Sequence, residues 1–369
     1  MRSIQTLSTA VLVSAGLVCS AGAQTKITYG SWAPENGPAA IAANAFFEKV
    51  TKQTKGSLSF VTQYDGKLVN IRTTLPGVKD GLVDAAYVTG SIFPNEWRTD
   101  HMLNDDASVQ GDVRALTAAF SETMLLNCPQ CRQEVEKTGA VVLGYMSEAP
   151  FYLQCAKPFA SLQDVKGKQV RSVGAFQIFA KAIDAVPVTT APSETYEAMQ
   201  RGAVTCFVGG GFWLKQYGLA DVAKYVVDRP LGQYNNGSVL TINQGVWKGL
   251  SAEHKRAILE DMPFLLRRAA QANIEQDREA REASKAKGVA WAQPSAEFNA
   301  VFAKFREGER PRVIKAATDK GIPNAEAIYK KFDENLAKWT RIVAETGDDW
   351  NRYEEALRRE IYAKFQPAS

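Results

Sequence analysis

The stretch from Gly167 to Gly211, GKQVRSVGAFQIFAKAIDAVPVTTAPSETYEAMQRGAVTCFVGGG, constrains this chain more than any other. Its pattern predicts strands over 168–173, 186–190 and 204–208, helices over 175–184 and 193–201, and then a glycine loop. Short β-rich runs that alternate with helix-length segments, each broken by Gly or Pro, indicate a parallel α/β sheet. Arg171 falls near the C-terminal end of its strand, the edge at which open α/β sheets bind ligands. A guanidinium there suits a carboxylate, which it grips with two parallel hydrogen bonds. A structural salt bridge would account for the same residue, and the residues alone leave both readings open.

At 369 residues the chain is long enough for two domains. Its formal charge of +4, from 44 basic and 40 acidic residues, is too small and too dispersed to argue for nucleic acid. The N-terminus reads as a signal peptide: Arg2, an apolar core over 7–18, and Ala21-Gly22-Ala23 before a mature start near Gln24. Cys19 is a poor lipoprotein site because Val18 precedes it where a small residue is needed. No later stretch approaches the ~20 apolar residues that span a bilayer. An exported protein with periplasmic residence is expected.

Export permits disulfides among the four remaining cysteines, Cys128, Cys131, Cys155 and Cys206. Cys128-Pro129-Gln130-Cys131 has the spacing of a thiol oxidoreductase or of half a zinc site. The other half is missing, with no second such pair and only His101 and His254. A structural disulfide is the expectation, and a thiol–disulfide enzyme the alternative. Neither metal ligands nor a cofactor motif is expected; the glycines of 209–211 lack the Lys-Ser/Thr of a phosphate loop.

In order along the chain, strands are predicted over 25–30, 57–64 and 82–89, with a helix after Pro38 carrying Ile41, Ala45, Phe46 and Val50 on its apolar face. Trp32 lies just beyond the first strand, and Thr89-Gly90 just beyond the third, so each is a candidate for the ligand edge. Gly209 and Gly210 permit close backbone approach, so that their amides could face a ligand. Phe212, Trp213 and Phe176 read either as stacking partners for a ligand or as packing. Tyr234 and Asn235, in a turn-rich crossover, read either as cleft contacts or as hinge. Strands over 221–227 and 238–243 are read as returning to the first domain. From Ala252 onward the pattern is helical, and a last helix over 348–365 carries the stripe Trp350, Tyr353, Leu357, Ile361, Phe365.

Three blocks carry a family resemblance: Lys166-Gly167-Lys168-Gln169-Val170-Arg171, then Ala185-Val186-Pro187-Val188, then Glu194-Thr195-Tyr196-Glu197-Ala198-Met199-Gln200-Arg201-Gly202-Ala203-Val204. In this order and spacing they resemble the DctP-type substrate-binding proteins of TRAP (tripartite ATP-independent periplasmic) transporters. Ser31-Trp32, with Pro34, and Val246-Trp247 strengthen the likeness. The resemblance implies a two-domain periplasmic-binding-protein-like α/β fold with a long bracing helix and a helical tail. It divides the chain into domain I (24–149 and 233–262) and domain II (150–232 and 263–369), after a signal peptide at 1–23. It gives Arg171 the place of the arginine that holds the substrate carboxylate. The implied function is that of a receptor, not an enzyme, which binds a small organic acid between its domains and delivers it to the membrane permease subunits. A sensory binding protein would have the same cleft. The tail is expected to form a homodimer contact or to cap the second domain.

Two departures from the family pattern matter. Many dicarboxylate receptors carry a second arginine about twenty positions before the main one, where this chain has Pro150-Phe151-Tyr152. One carboxylate on an apolar or hydroxylated body therefore fits better than two. After Val204 the family's acidic and polar motif is replaced by Thr205-Cys206-Phe207-Val208-Gly209. A metal-bridged carboxylate, found in some relatives, stays open.

Overall fold

The computed structural model describes residues 24–159 and 161–367; the signal peptide expected at 1–23 lies outside them. Among the described residues the strands are β1 (Thr25–Gly30), β2 (Leu58–Gln63), β3 (Ala85–Thr89), β4 (Ala140–Val142), β5 (Phe151–Cys155), β6 (Gln169–Arg171), β7 (Val186–Val188), β8 (Cys206–Gly210), β9 (Tyr225–Val227), β10 (Gly237–Asn243) and β11 (Ala290–Ala292). They form two sheets, ordered β2-β1-β3-β10-β4 and β11-β9-β5-β8-β6-β7. Both are mixed. β1 runs parallel to β2 and β3, and β6 parallel to β7 and β8, while β10 and β5 enter antiparallel. The chain is thus a two-domain α/β protein, each sheet with its own apolar core.

The antiparallel strands are the ones the chain uses to cross between sheets. Residues 146–151 and 232–237 run side by side, with Met146 N–H donating to Gly237 O at 2.8 Å, Glu148 N–H to Tyr234 O at 2.8 Å and Phe151 N–H to Gly232 O at 2.9 Å. This paired crossover floors the groove between the domains. The expectation that 221–227 returns to the first domain is corrected: β9 pairs with β5 and β11 in the second sheet. Only β10 returns.

The helix Ala252–Ala286 serves both cores. Ile258, Met262, Leu265, Leu266 and Ala269 belong to the first, and Ala280 to the second. Pro263 lies inside it without ending it. The helix Pro38–Gln53 packs on its N-terminal half, using Ala39, Ala42, Ala43, Phe46 and Val50, and Lys49 pairs there with Asp261.

The tail differs from its expected place. Phe298, Phe302 and Phe305 enter the second core, but from Val313 onward the buried residues belong to the first. The helix Ala325–Thr346 packs on Val113–Glu122, where Trp339 Nε1–H donates to Glu122 Oε2 at 2.6 Å. Tyr353, Leu357, Ile361 and Phe365 are buried in the same core. The expected capping of the second domain is met only by Phe298, Phe302 and Phe305; from Val313 onward the tail finds its apolar partners on the first domain. The apolar stripe of the last helix packs there as its spacing predicts, with Trp350 half-buried at its start.

The cysteines form two disulfides. Cys128–Cys131 is local and its two residues are 1% and 2% exposed, which leaves no access for a thiol substrate. Cys155–Cys206 joins directly opposed residues of β5 and β8.

Candidate functional site

The C-terminal ends of β1, β3, β6, β7 and β8 converge on one groove between the domains. The cavity there holds about 630 Å³ of unfilled space counted out to its open mouth. The first domain contributes Trp32, Arg72, Thr89 and Ile92; the second contributes Phe151, Arg171, Thr190 and Trp213; Glu148 and Tyr234 come from the crossover. The walls are mostly apolar and the polar groups few, the usual make-up of a site for a small organic molecule.

Arg171 is the central charge. β6 is so short that Val170 fills the core while Arg171, opposite Phe207 of β8, ends the strand at the groove. The residue is 2% exposed. Its Nε and Nη2 donate to Thr190 O at 3.1 and 2.9 Å, and its Nη1 to Val208 O at 3.2 Å. The Trp213 ring covers it, with the guanidinium carbon 5.0 Å from the ring centroid. Burial pushes its pKa down to about 10, so the group remains a cation at neutral pH. None of the carboxylates among the described residues forms an ion pair with it, so the structural salt bridge is not what occupies it. A buried charge held by neutral carbonyls alone is expensive, and an anion that takes its remaining N–H groups relieves that expense. A guanidinium has five N–H donors, and three are used here.

Two further donors point to the same need. Trp32 Nε1 and Thr190 Oγ1, both on the cavity wall, are buried without a hydrogen-bond partner. Trp32 stacks on Tyr87, ring centroids 5.4 Å apart, which fixes its indole at the groove. Buried polar atoms are rarely left unpaired unless a ligand or water completes them.

Five of the residues predicted from sequence therefore line the cavity: Trp32, Thr89, Arg171, Trp213 and Tyr234. The others are placed elsewhere, for identifiable reasons. Phe176 lies behind the wall, stacked on Phe151 at 5.6 Å and edge-on to Tyr234. Gly90 lets the Asp100 carboxylate close in, since a Cβ there would meet Asp100 Oδ1 at 2.2 Å. Asn235 is 1% exposed, its N–H donating to Asn104 Oδ1 at 2.7 Å. Phe212 borders a smaller neighbouring cavity, with Trp32 and Trp213 on its rim.

Gly209 and Gly210 are the main correction. Both belong to β8, opposite Tyr152 and Phe151, and their carbonyls accept from Gln154 Nε2 at 2.8 and 3.2 Å. Their missing side chains make room for rings rather than for a ligand: a Cβ at Gly209 would lie 2.4 Å from Trp213, and one at Gly210 2.2 Å from Phe212.

Sequence reasoning missed Glu148, Arg72 and Thr190. Thr190 follows β7 as Arg171 ends β6, so the strand-end rule that found the arginine would have found it. Arg72 is exposed at the mouth and supplies a second cation from the first domain, at a place far in sequence from the family's second arginine. Glu148 stands in a crossover with no local pattern. Among the described residues no group of three or more His, Cys, Asp or Glu side chains is placed to hold a metal ion.

Two α/β domains joined by a paired crossover, with a buried cation at the groove between them, define a solute-binding protein. The chain belongs to the bacterial extracellular solute-binding protein family 7 (DctP), whose model matches residues 29–310. The fold recurs in a marine-metagenome TRAP solute-binding protein specific for aromatic acids, solved with 3-hydroxybenzoate (TM-score 0.76, 18% identity, 86% of this chain and 99% of that one). It recurs in a Bordetella bronchiseptica TRAP solute-binding protein solved with mandelate (0.72, 20%, 85% and 99%). A third example is a Bordetella pertussis extracytoplasmic solute receptor that binds pyroglutamic acid (0.66, 20%, 90% and 99%). The family and these neighbours are solute-binding proteins and not enzymes.

Proposed function

We propose that this protein is the periplasmic receptor of a TRAP transporter, capturing a small organic acid in the groove and delivering it to the membrane permease. The observation that carries the reading is Arg171: buried at the groove, held by carbonyls of β8 and the β7 end, and lacking a carboxylate partner. The acids bound by the structural neighbours, 3-hydroxybenzoate, mandelate and pyroglutamic acid, are small carboxylates and support the same class here. No helix among the described residues is long and apolar enough to cross a membrane, which agrees with a receptor that hands its ligand to a separate permease.

The ligand would act through differential affinity. Its carboxylate engages Arg171 of the second domain while its body contacts Trp32, Ile92 and Thr89 of the first, so the arrangement with both walls in contact is favoured. A thermal-shift screen of organic acids, with and without divalent cations, tests the reading. Stabilisation by one or more monocarboxylates is expected. Stabilisation by none of a broad acid panel, or only by cationic or neutral solutes, would overturn it.

A further inference from the structure

We propose that Glu148 sets the ligand class of this groove: the acid it accepts carries a hydrogen-bond donor, a hydroxyl, an amide N–H or an ammonium, on the side facing away from Arg171, and no second carboxylate there. The inference rests on the reading of Arg171 as a carboxylate site.

Glu148 lies at the groove floor, and its backbone is pinned on both sides. Its N–H donates to Tyr234 O at 2.8 Å, and its carbonyl accepts from Gln233 Nε2 at 3.1 Å. The half-buried side chain lines the same cavity as Arg171. Its Oε1 accepts one long bond from the Tyr87 hydroxyl at 3.3 Å. No lysine or arginine among the described residues pairs with it, Arg171 included. Two opposite charges thus face one small space, and neither neutralises the other. Phe151, Trp213 and Trp32 supply apolar wall around them.

An ionised carboxylate only accepts hydrogen bonds. A ligand group that donates to it forms a charge-assisted bond, whereas a second carboxylate meets like charge in a poorly solvated place. Burial raises the Glu148 carboxyl to about 7. A donor holds it ionised; in its protonated form it would instead donate to a second carboxylate. Arg72 at the mouth is the other group that could receive such a carboxylate. A dicarboxylate probe reads both of those alternatives.

Calorimetry on the mature chain with matched acids distinguishes these cases: 3-hydroxybenzoate against benzoate, mandelate and phenylglycine against phenylacetate, pyroglutamate against cyclopentanecarboxylate, and isophthalate as the dicarboxylate. A hydrogen bond to a charged group predicts that the donor-bearing member of at least one pair binds about 10–100-fold more tightly. Mandelate against phenylglycine tells a neutral donor from an ammonium. Glu148→Gln, nearly isosteric, and Glu148→Ala should each cut that advantage about tenfold or more. Circular dichroism melts establish that both variants fold. Equal affinities within every pair, an advantage that survives both Glu148 variants, or isophthalate as the tightest ligand with Arg72→Gln abolishing it, would each overturn the inference and leave the carboxylate reading intact. Acids whose binding is indifferent to Arg171→Ala, or a panel in which nothing binds, would instead overturn the carboxylate reading, and this inference with it.

Discussion

The guanidinium of Arg171, at the end of β6, lies under the indole of Trp213, which opens the short helix Trp213–Gln216 just beyond β8, 5.0 Å from carbon to ring centroid. The ring shields one face of the cation from water, and the carbonyls of Thr190 and Val208 hold its edges. The cation is therefore positioned before any ligand arrives.

Removing it should abolish tight binding. Truncating one partner of a buried, hydrogen-bonded charge pair costs about 2–5 kcal/mol, because the other charge is left unpaired. Arg171→Ala is expected to weaken the best acid from the screen accordingly, while the melting temperature holds or rises, since a buried unpaired charge has been removed. An unchanged dissociation constant by calorimetry would show that the carboxylate sits elsewhere.

Trp213 should matter for binding through the arginine. A desolvated cation–π contact contributes about 0.5–2 kcal/mol. Trp213→Phe keeps a ring and should weaken binding less than Trp213→Ala, which also loses packing on Phe207 and Phe151. If a folded Trp213→Ala protein bound as tightly as the parent, the ring would have no part in holding the guanidinium.

The two glycines of β8 should respond as packing residues. A methyl at Gly209 or Gly210 collides with the Trp213 or Phe212 ring, and overpacking of this kind costs about 1–3 kcal/mol. Thermal melts of Gly210→Ala should show that loss even without ligand. A melt identical to the parent's, combined with lost binding, would return these residues to the role of ligand contacts.

Stability should fall as pH rises because of Asp100. This carboxyl is 1% exposed, accepts one bond from Asn236 Nδ2 at 2.6 Å and leaves Oδ2 without a partner. Burial raises it from 3.8 to about 8. Between those values the folded protein keeps a proton that the unfolded chain has released, so folding is progressively disfavoured as pH climbs through the window. Asp100→Asn has no such proton. Melts at pH 5 and pH 8 should show a smaller drop for Asp100→Asn than for the parent; parallel curves would place the titration elsewhere.

The alternation of short strands with helices over 167–211 is a local property, which is why the α/β class and the strand that carries Arg171 were legible in the residues, as was the helical run after Ala252. Arg171, Trp32 and Thr89, which line the cavity, were singled out by one rule, that ligands meet strand ends, and Trp213 as an aromatic just beyond the glycine loop. Gly209 and Gly210 were read as room for a ligand because a glycine that admits a ligand and a glycine that admits a neighbouring ring have the same sequence. Phe176 was left between stacking and packing because an aromatic on a helix behind the wall has the same spacing as one on it.

The chain's own letters determined the alternation of strands and helices, the arginine at the end of its strand and the apolar stripe of the last helix, since each depends on periodicity and on residues a few positions apart. Which core that stripe joins, which strand β9 pairs with, and the meeting of Glu148 with Arg171 were decided by the tertiary structure alone. Those depend on contacts between segments 20 to more than 200 positions apart in this chain, such as Tyr353 with Arg114, Trp339 with Glu122 and β11 with β9. A side chain's partner at such separation is set by how the domains pack, and no local pattern encodes it.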